Sequence, residues 1–109
     1  MKTDLSPQIF DLLVALSHGP QHGYALMQRI ETMHEGNYKP SSGVIYANLQ
    51  RLVDWGWCKE VAAPGKSEDA RRKHYQATET GLGAARAHVA KQQEKLKAAS
   101  RSLRGLTSC

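Results

Sequence analysis

The chain has few of the residues that cross-link a fold, bind metals or carry out catalysis. Its 109 residues contain two cysteines, Cys58 and Cys109, and a single phenylalanine. Two cysteines without metal-ligand spacing or a framework pattern predict reduced thiols. The five histidines also lack metal-ligand spacing. His18 and His22 are four residues apart, but Gly19-Pro20 lies between them, so they do not share one helix face. We therefore expect neither a metal site nor a cofactor.

Long apolar runs and catalytic signatures are missing as well. No apolar run approaches the length that spans a bilayer, and the first residues, MKTDLSP, lack the apolar stretch of a signal peptide. These absences predict a cytoplasmic protein without a membrane partner. No glycine-rich phosphate loop, nucleophile elbow or paired-carboxylate pattern occurs, and Gly81-Leu82-Gly83 opens a helix without the context of such a loop. An enzyme is therefore not expected.

The positive charge is concentrated in the second half of the chain. The formal net charge is +5, but it is −2 over residues 1–70 and +7 over residues 71–109. A strongly basic half favours a polyanionic partner, with nucleic acid first and an anionic membrane surface second. The alternative is a basic helix that is simply solvated.

The length predicts one domain, or one small domain with an appended helix. Ser6 and Pro7 predict the start of a first helix, and Gly19-Pro20 predicts its end. Its buried stripe is expected at Ile9, Leu12, Leu13 and Leu16. A second helix is expected from Gln21 or His22 to the break at Glu35-Gly36-Asn37. Its core side is predicted to hold Tyr24, Met27, Ile30 and Met33, with Leu26 beside them.

The stretch from Ser41 to Gly56 predicts the helix around which the chain is organised. Pro40 precedes it, Ser41 or Ser42 can cap it, and Gly56 closes it. The spacing predicts a buried stripe of Ile45, Leu49, Leu52 and Val53 and an opposite stripe of Val44, Ala47, Asn48 and Arg51. Asn and Arg read base edges, and small side chains allow close approach to a groove. An ordinary solvated face is the alternative.

A basic hairpin is predicted after this helix. Trp57 to Ala62 is expected as one strand, and Arg71 to Ala77 as the return strand. A hairpin that follows a helix-turn-helix is typical of a winged helix, in which the wing contacts phosphates while the helix enters the major groove. The predicted fold class is thus mainly α with a small β-hairpin, a winged helix-turn-helix domain over residues 1–78.

The segment 79–109 is predicted to be a long C-terminal dimerisation helix. Thr78 can cap it, and it is expected to run from Glu79 towards Leu103. Leu82, Val89, Leu96 and Leu103 recur every seven residues, as do Ala85, Gln92, Ala99 and Leu106. Such spacing predicts a close-packed antiparallel or intersubunit helix contact, and the small Ala and polar Gln positions make a strong zipper less favourable. The dimerisation residues are expected to be Leu82, Ala85, Val89, Gln92, Leu96, Ala99 and Leu103. Packing of this helix on its own domain is the alternative.

Three stretches carry a family resemblance: LLVALSHGPQHGYALMQRIE, PSSGVIYANLQRLVDWG and RRKHYQATETG, in this order. With them the chain, from Leu5 to Leu103, resembles the PadR family of bacterial transcriptional regulators. The resemblance implies a winged helix, a homodimer formed by the last helix, and usually repression that a small molecule or stress relieves. The segment from Asp54 to Cys58 departs from the family, because two tryptophans stand near the hairpin entrance. They either pack at the helix–wing junction or bound a pocket.

The predicted function is sequence-specific binding of double-stranded DNA by a PadR-like repressor that acts as a homodimer. The residues expected to contact DNA are Tyr24, Ser41, Ser42, Gly43, Val44, Tyr46, Ala47, Asn48, Arg51, Lys66, Arg71, Arg72, Lys73 and Tyr75. The alternative function is a protein-binding adaptor that uses the winged helix or the final helix as a docking surface.

Overall fold

The described residues, 5–63 and 72–107, form four helices and one three-stranded sheet in the computed structural model. The elements are α1 Pro7–Leu16, β1 Gln21–His22, α2 Gly23–Met33, α3 Ser42–Asp54, β2 Cys58–Val61, β3 His74–Ala77 and α4 Glu79–Thr107. The sheet is antiparallel, and β3 lies between β1 and β2. The fold is a winged helix followed by a long helix, so the predicted fold class is confirmed.

Helix α1 begins and packs as its sequence predicts. The Ser6 hydroxyl accepts a hydrogen bond from the Ile9 amide at 3.2 Å, and Pro7 occupies the first helical position. The turn after α1 contains Gly19, whose φ of +116° is a conformation that glycine adopts readily. The predicted stripe is buried in the main core at Ile9, Leu12, Leu13 and Leu16.

Strand β1 was not expected, and it displaces the start of the second helix. Gln21 pairs with Tyr75, and His22 pairs with His74. His22 is also the N-cap of α2, because its Nδ1 accepts a hydrogen bond from the Ala25 amide at 3.1 Å. The start of α2 is thus joined to the wing strand β3 through the sheet.

The expected core side of α2 is partly wrong. Leu26 and Ile30 are buried and Met27 is partly buried, as predicted. Tyr24 and Met33, in contrast, are exposed by 47% and 38%. The reason is geometric, since only the arc that faces α1 and α3 is covered, and Tyr24 at the start of α2 lies outside that arc.

Helix α3 is bounded by the residues that the sequence indicates. The Ser41 hydroxyl accepts a hydrogen bond from the Val44 amide at 3.2 Å, and Gly56 follows the helix with a φ of +77°. Ile45, Leu49 and Leu52 are each exposed by 2% or less, which confirms their assignment to the core. Burial of these three side chains against α1 and α2 fixes the rotation of α3 about its axis.

One hydroxyl joins the end of α3 to the start of α4. The Thr78 Oγ1 donates a hydrogen bond to the Gly56 carbonyl at 2.7 Å and accepts one from the Gly81 amide at 3.2 Å. Trp57 packs against the core, and its ring makes an edge contact with the exposed Trp55 ring at a centroid distance of 5.2 Å. The two tryptophans therefore pack at the helix–wing junction.

Helix α4 leaves the domain after its first turns. Its 29 residues give it a length of about 43 Å. Its beginning packs on α1 and β3, whereas every described side chain from residue 93 to residue 106 is exposed. No helix in the described part of the chain is long and apolar enough to cross a membrane.

Candidate nucleic-acid interface

One face of α3 is open to solvent along its whole length. Six residues at helical spacing are exposed: Ser42, Gly43, Tyr46, Ala47, Gln50 and Arg51. Apart from Tyr46, the first two turns of this face carry only small residues, so another surface can come close to the backbone beside Gly43 and Ala47. Amide and guanidinium groups follow one to two turns later. A helix of this shape and composition fits the major groove of DNA.

Two residues assigned to this face lie elsewhere. Asn48 is only 5% exposed, and Val44 is half-buried. Both line a small cavity together with side chains of α1, α2 and the segment before α3, including Tyr38 and Pro40. The expectation of an exposed Asn48 is therefore wrong, because neighbours cover α3 on two sides and bury a wider arc than one stripe. The Asn48 Oδ1 instead accepts a hydrogen bond from Arg51 at 3.4 Å.

Gln50 takes the position that Asn48 was expected to hold. It is exposed between Tyr46 and Ala47 on one side and Asp54 on the other, and its Nε2 donates to the Asp54 Oδ1 at 2.9 Å. A glutamine side chain can form the same paired hydrogen bonds to adenine as an asparagine. The sequence did contain the signal, because Gln50 lies seven residues after Gly43 and three after Ala47.

The start of α2 lies against this face. A Cβ atom on Gly23 would stand 2.5 Å from the Tyr46 hydroxyl, so the tyrosine side chain occupies the space that a larger residue would fill. Tyr46 is nevertheless 48% exposed. The exposed face of α3 therefore continues onto the first residues of α2.

Cationic side chains from two other segments lie beside the Tyr24 ring at the start of α2. The Arg72 guanidinium carbon is 5.5 Å from the centroid of the Tyr24 ring, and the Lys39 Nζ is 5.9 Å from it. Lys73 is exposed next to Arg72. The structure thus brings together α2, the segment before α3 and the entrance of β3. Lys66 and Arg71, also expected to contact DNA, lie outside the described residues.

Tyr75 does not belong to this surface. It is 8% exposed and packs in the core with Cys58 and Ala77, so the expectation that it contacts DNA is wrong. Burial and the nearby Glu60 carboxylate raise the pKa of its phenol. Alternation places it on the inner side of β3, because the sheet uses that side to cover the helices.

The seven-residue pattern of α4 divides into two parts. Ala85 is buried and Leu82 is partly buried against the core of the same chain, so at these two positions the helix packs on its own domain, as the alternative expected. Farther along, the apolar positions are open to solvent: Val89 by 40%, Leu96 by 67%, Leu103 by 59% and Leu106 by 71%. Gln92 is half-buried and Ala99 is exposed. A contiguous apolar stripe on the outer part of α4 therefore has no covering segment among the described residues.

The described residues offer little reactive chemistry. Burial raises the pKa of the Cys58 thiol to about 11, so it stays protonated at neutral pH. Within residues 5–63 and 72–107, no group of three or more His, Cys, Asp or Glu side chains is placed to hold a metal ion.

Known proteins similar to this chain are transcriptional regulators. The profile of the Transcriptional regulator PadR-like family matches residues 12–87. The transcriptional regulator YqjI of Escherichia coli K12 is 34% identical over 90 residues, which cover 80% of this chain and 41% of that protein. The chain therefore spans about two fifths of the length of this curated relative.

Solved structures share the fold. A PadR family transcription regulator from hypervirulent Clostridium difficile R20291 has a TM-score of 0.74 at 17% identity, and 90% of this chain covers 99% of that one. A transcriptional regulator from Clostridium thermocellum has a TM-score of 0.72 at 19% identity, with 90% and 97% coverage. At these identities the similarity concerns the fold.

Proposed function

Because this chain belongs to the PadR-like family of transcriptional regulators, we propose that it binds double-stranded DNA with α3 in the major groove. The wing entrance, with Arg72 and Lys73, contacts the phosphate backbone beside that groove. The exposed part of α4 pairs with α4 of a second copy, and the homodimer acts as a repressor.

The observation that carries the proposal is the composite surface around the start of α2. An exposed helix face with small residues, Gly43 and Ala47, adjoins a cluster of cations drawn from two other segments. Small residues permit close approach to base edges, whereas lysine and arginine side chains provide the contacts to phosphates. The two kinds of contact are adjacent, as one DNA duplex requires.

The homodimer rests on the outer part of α4. Four large apolar side chains at seven-residue or neighbouring positions are exposed there: Val89, Leu96, Leu103 and Leu106. Two copies of the same stripe can cover each other around a twofold axis. A twofold dimer presents two α3 helices, which matches an operator made of two half-sites.

A charge reversal with a matched control tests DNA binding. Ala47→Glu places a carboxylate on the exposed face of α3, and Ala98→Glu adds the same charge at an exposed position of α4 away from the apolar stripe. Fluorescence anisotropy is measured on duplexes selected for binding from a random library. We expect Ala47→Glu to weaken binding by about two orders of magnitude, because like charges repel at close range, and Ala98→Glu to change it by less than about threefold.

Equal weakening by both variants would mean that only net charge matters and that α3 does not enter the groove. A wild-type chain that selects no duplex, even at low salt, would favour the protein-binding adaptor instead.

A further inference from the structure

Tyr24 is an exposed aromatic residue with a defined orientation. It is 47% exposed at the second position of α2, whereas Leu26 and Ile30 provide the core contacts of that helix. The Gln28 Nε2 donates a hydrogen bond to the Tyr24 hydroxyl at 3.3 Å, one turn farther along. A large ring that is half-exposed and oriented by its own helix contributes little to the core, so its surroundings indicate what it does.

Two cations approach the Tyr24 ring from segments that are distant in sequence. Arg72 comes from the entrance of β3, with its guanidinium carbon 5.5 Å from the ring centroid. Lys39 comes from the segment before α3, with its Nζ at 5.9 Å. Both distances lie within the range in which an aromatic ring attracts a cation. Lys39 also lies 3.9 Å from the Glu31 carboxylate, an exposed pair that restrains it only weakly.

Arg72 is held at both its backbone and its side chain. The His74 Nδ1 donates a hydrogen bond to the Arg72 carbonyl at 2.8 Å. The Arg72 Nη1 lies 3.5 Å from the His22 Nδ1, which already accepts the Ala25 amide. His22 and His74 are buried, and their rings make an edge contact at 5.3 Å. The contacts with the buried His22 and His74 therefore restrain Arg72 at the edge of the proposed DNA surface.

A long charged side chain loses rotamer freedom when it binds phosphate, and orienting it beforehand lowers that cost. We propose that Tyr24 is a positioning residue, whose ring holds Arg72 and Lys39 where they meet the DNA backbone. The inference rests on the proposed function, since it names how two of its phosphate contacts are oriented. It differs from a direct contact between the Tyr24 hydroxyl and a phosphate, because the ring face and not the oxygen is what matters.

Two substitutions at Tyr24 separate these roles. Tyr24→Phe keeps the ring and removes the hydroxyl, whereas Tyr24→Leu removes the ring and keeps an apolar side chain. Met33→Leu, at the other end of α2 and also exposed, is the control for loss of an exposed side chain on this helix. Affinity for a selected duplex is measured at several salt concentrations, and each variant is melted to verify its fold.

We expect Tyr24→Leu to weaken binding about 3- to 10-fold and to reduce the salt dependence by up to about one phosphate contact. Tyr24→Phe and Met33→Leu should stay within about twofold of the wild type. In an Arg72→Ala background, Tyr24→Leu should have a clearly smaller effect, because the ring has lost one of its two cations.

Three results would overturn the inference. If Tyr24→Phe weakens binding as much as Tyr24→Leu, the hydroxyl is the contact. If Tyr24→Leu binds like the wild type while the wild type still selects its duplex, the ring orients nothing that DNA uses, and the proposed function stands. If the wild type binds no duplex, the proposed function fails and the inference fails with it.

Discussion

At the scale of single residues, two amides only two residues apart on α3 lie on opposite faces of the helix and have opposite environments. Asn48 is buried and accepts a hydrogen bond from Arg51, whereas Gln50 is exposed on the open face. Because Asn48→Ala removes a buried side chain that packs between neighbouring segments and accepts a hydrogen bond, we expect it to lower the free energy of unfolding by about 1–3 kcal/mol. Thermal and denaturant unfolding measure this change.

Gln50→Ala should affect DNA discrimination and not stability. We expect its unfolding free energy to stay within about 0.5 kcal/mol of the wild type, because the side chain is exposed. Its discrimination between a selected duplex and one with a mismatched site should fall by about 1–3 kcal/mol. If instead Asn48→Ala alone loses discrimination at unchanged stability, the assignment of the two amides must be exchanged.

The buried thiol of Cys58 gives a prediction that depends on pH. Its pKa in the folded chain is about 11, above the ordinary value of 9.0. A raised pKa means that its contribution to stability is fully present below about pH 9 and is lost as the pH rises through about 11. In a Cys109→Ser background, we expect the difference in unfolding free energy between the Cys58 protein and its Cys58→Ala variant to be constant below pH 9. Above pH 9, this difference in unfolding free energy should shrink.

The same background allows a direct measurement of thiol reactivity. Alkylation by iodoacetamide at pH 8 should be much slower for the folded chain than in urea, because the thiolate is the reacting form and burial suppresses it. Equal rates would show that Cys58 is accessible in the folded state.

Sequence periodicity identified the core residues of α3 well and its exposed residues less well. Ile45, Leu49 and Leu52 recur at a spacing that one neighbouring surface can bury, and all three are in the core. Asn48 was misplaced because the segment through Tyr38 and Pro40 covers a second side of the helix. Such a contact depends on how a linker folds back, and helical spacing does not contain that information.

At the scale of elements, two glycines mark close contacts with different tolerance. A Cβ on Gly81 would meet the backbone carbonyl of Trp57, which is fixed by its hydrogen bond from Thr78. A Cβ on Gly23 would meet the end of the Tyr46 side chain, which can rotate. We expect Gly81→Ala to cost about 1–3 kcal/mol of unfolding free energy and Gly23→Ala clearly less.

Gly23→Ala should instead affect binding, because it displaces Tyr46 from the start of α2. Affinity for a selected duplex is compared with the melting temperature for each variant. A Gly23→Ala protein that melts early but binds normally when folded would contradict the placement of Tyr46 on the proposed DNA surface.

The capped starts of α1, α3 and α4 were the most predictable features of the elements, and strand β1 was the least predictable element. Ser6, Ser41 and Thr78 cap their helices as expected, since short hydroxyl side chains satisfy amides that a helix leaves unpaired. Strand β1 has two residues, Gln21 and His22, and too few positions to show alternation. It exists because β3 offers a free edge, which is a tertiary condition.

At the scale of the whole molecule, the outer part of α4 gives the clearest test. Leu96→Lys combined with Leu103→Lys places two charges in the apolar stripe, and Ala87→Lys combined with Ala98→Lys places the same charges on the other side of the helix. Sedimentation should give the 12.1 kDa monomer for the first protein and twice that mass for the wild type and the control. A dimeric first protein would place the subunit contact elsewhere.

The division of the chain at residues 78 and 79 stays a prediction about independent folding. Leu82 and Ala85 lie in or against the same core as α1, so the first turns of α4 complete the winged-helix domain. The sequence showed the seven-residue repeat but not where it stops packing inward. That point depends on how far α1 extends alongside α4, which no local pattern encodes.

The Thr78 hydroxyl forms hydrogen bonds with both Gly56 and Gly81, so it links the end of α3 to the start of α4 and restrains the angle between these helices. In a twofold pair built on α4, that angle determines how far apart the two α3 helices stand and which way each one points. Operators of such pairs place their half-sites about one helical turn of DNA, or a multiple of it, apart. Which spacing this protein accepts would then be decided at a threonine that touches no base.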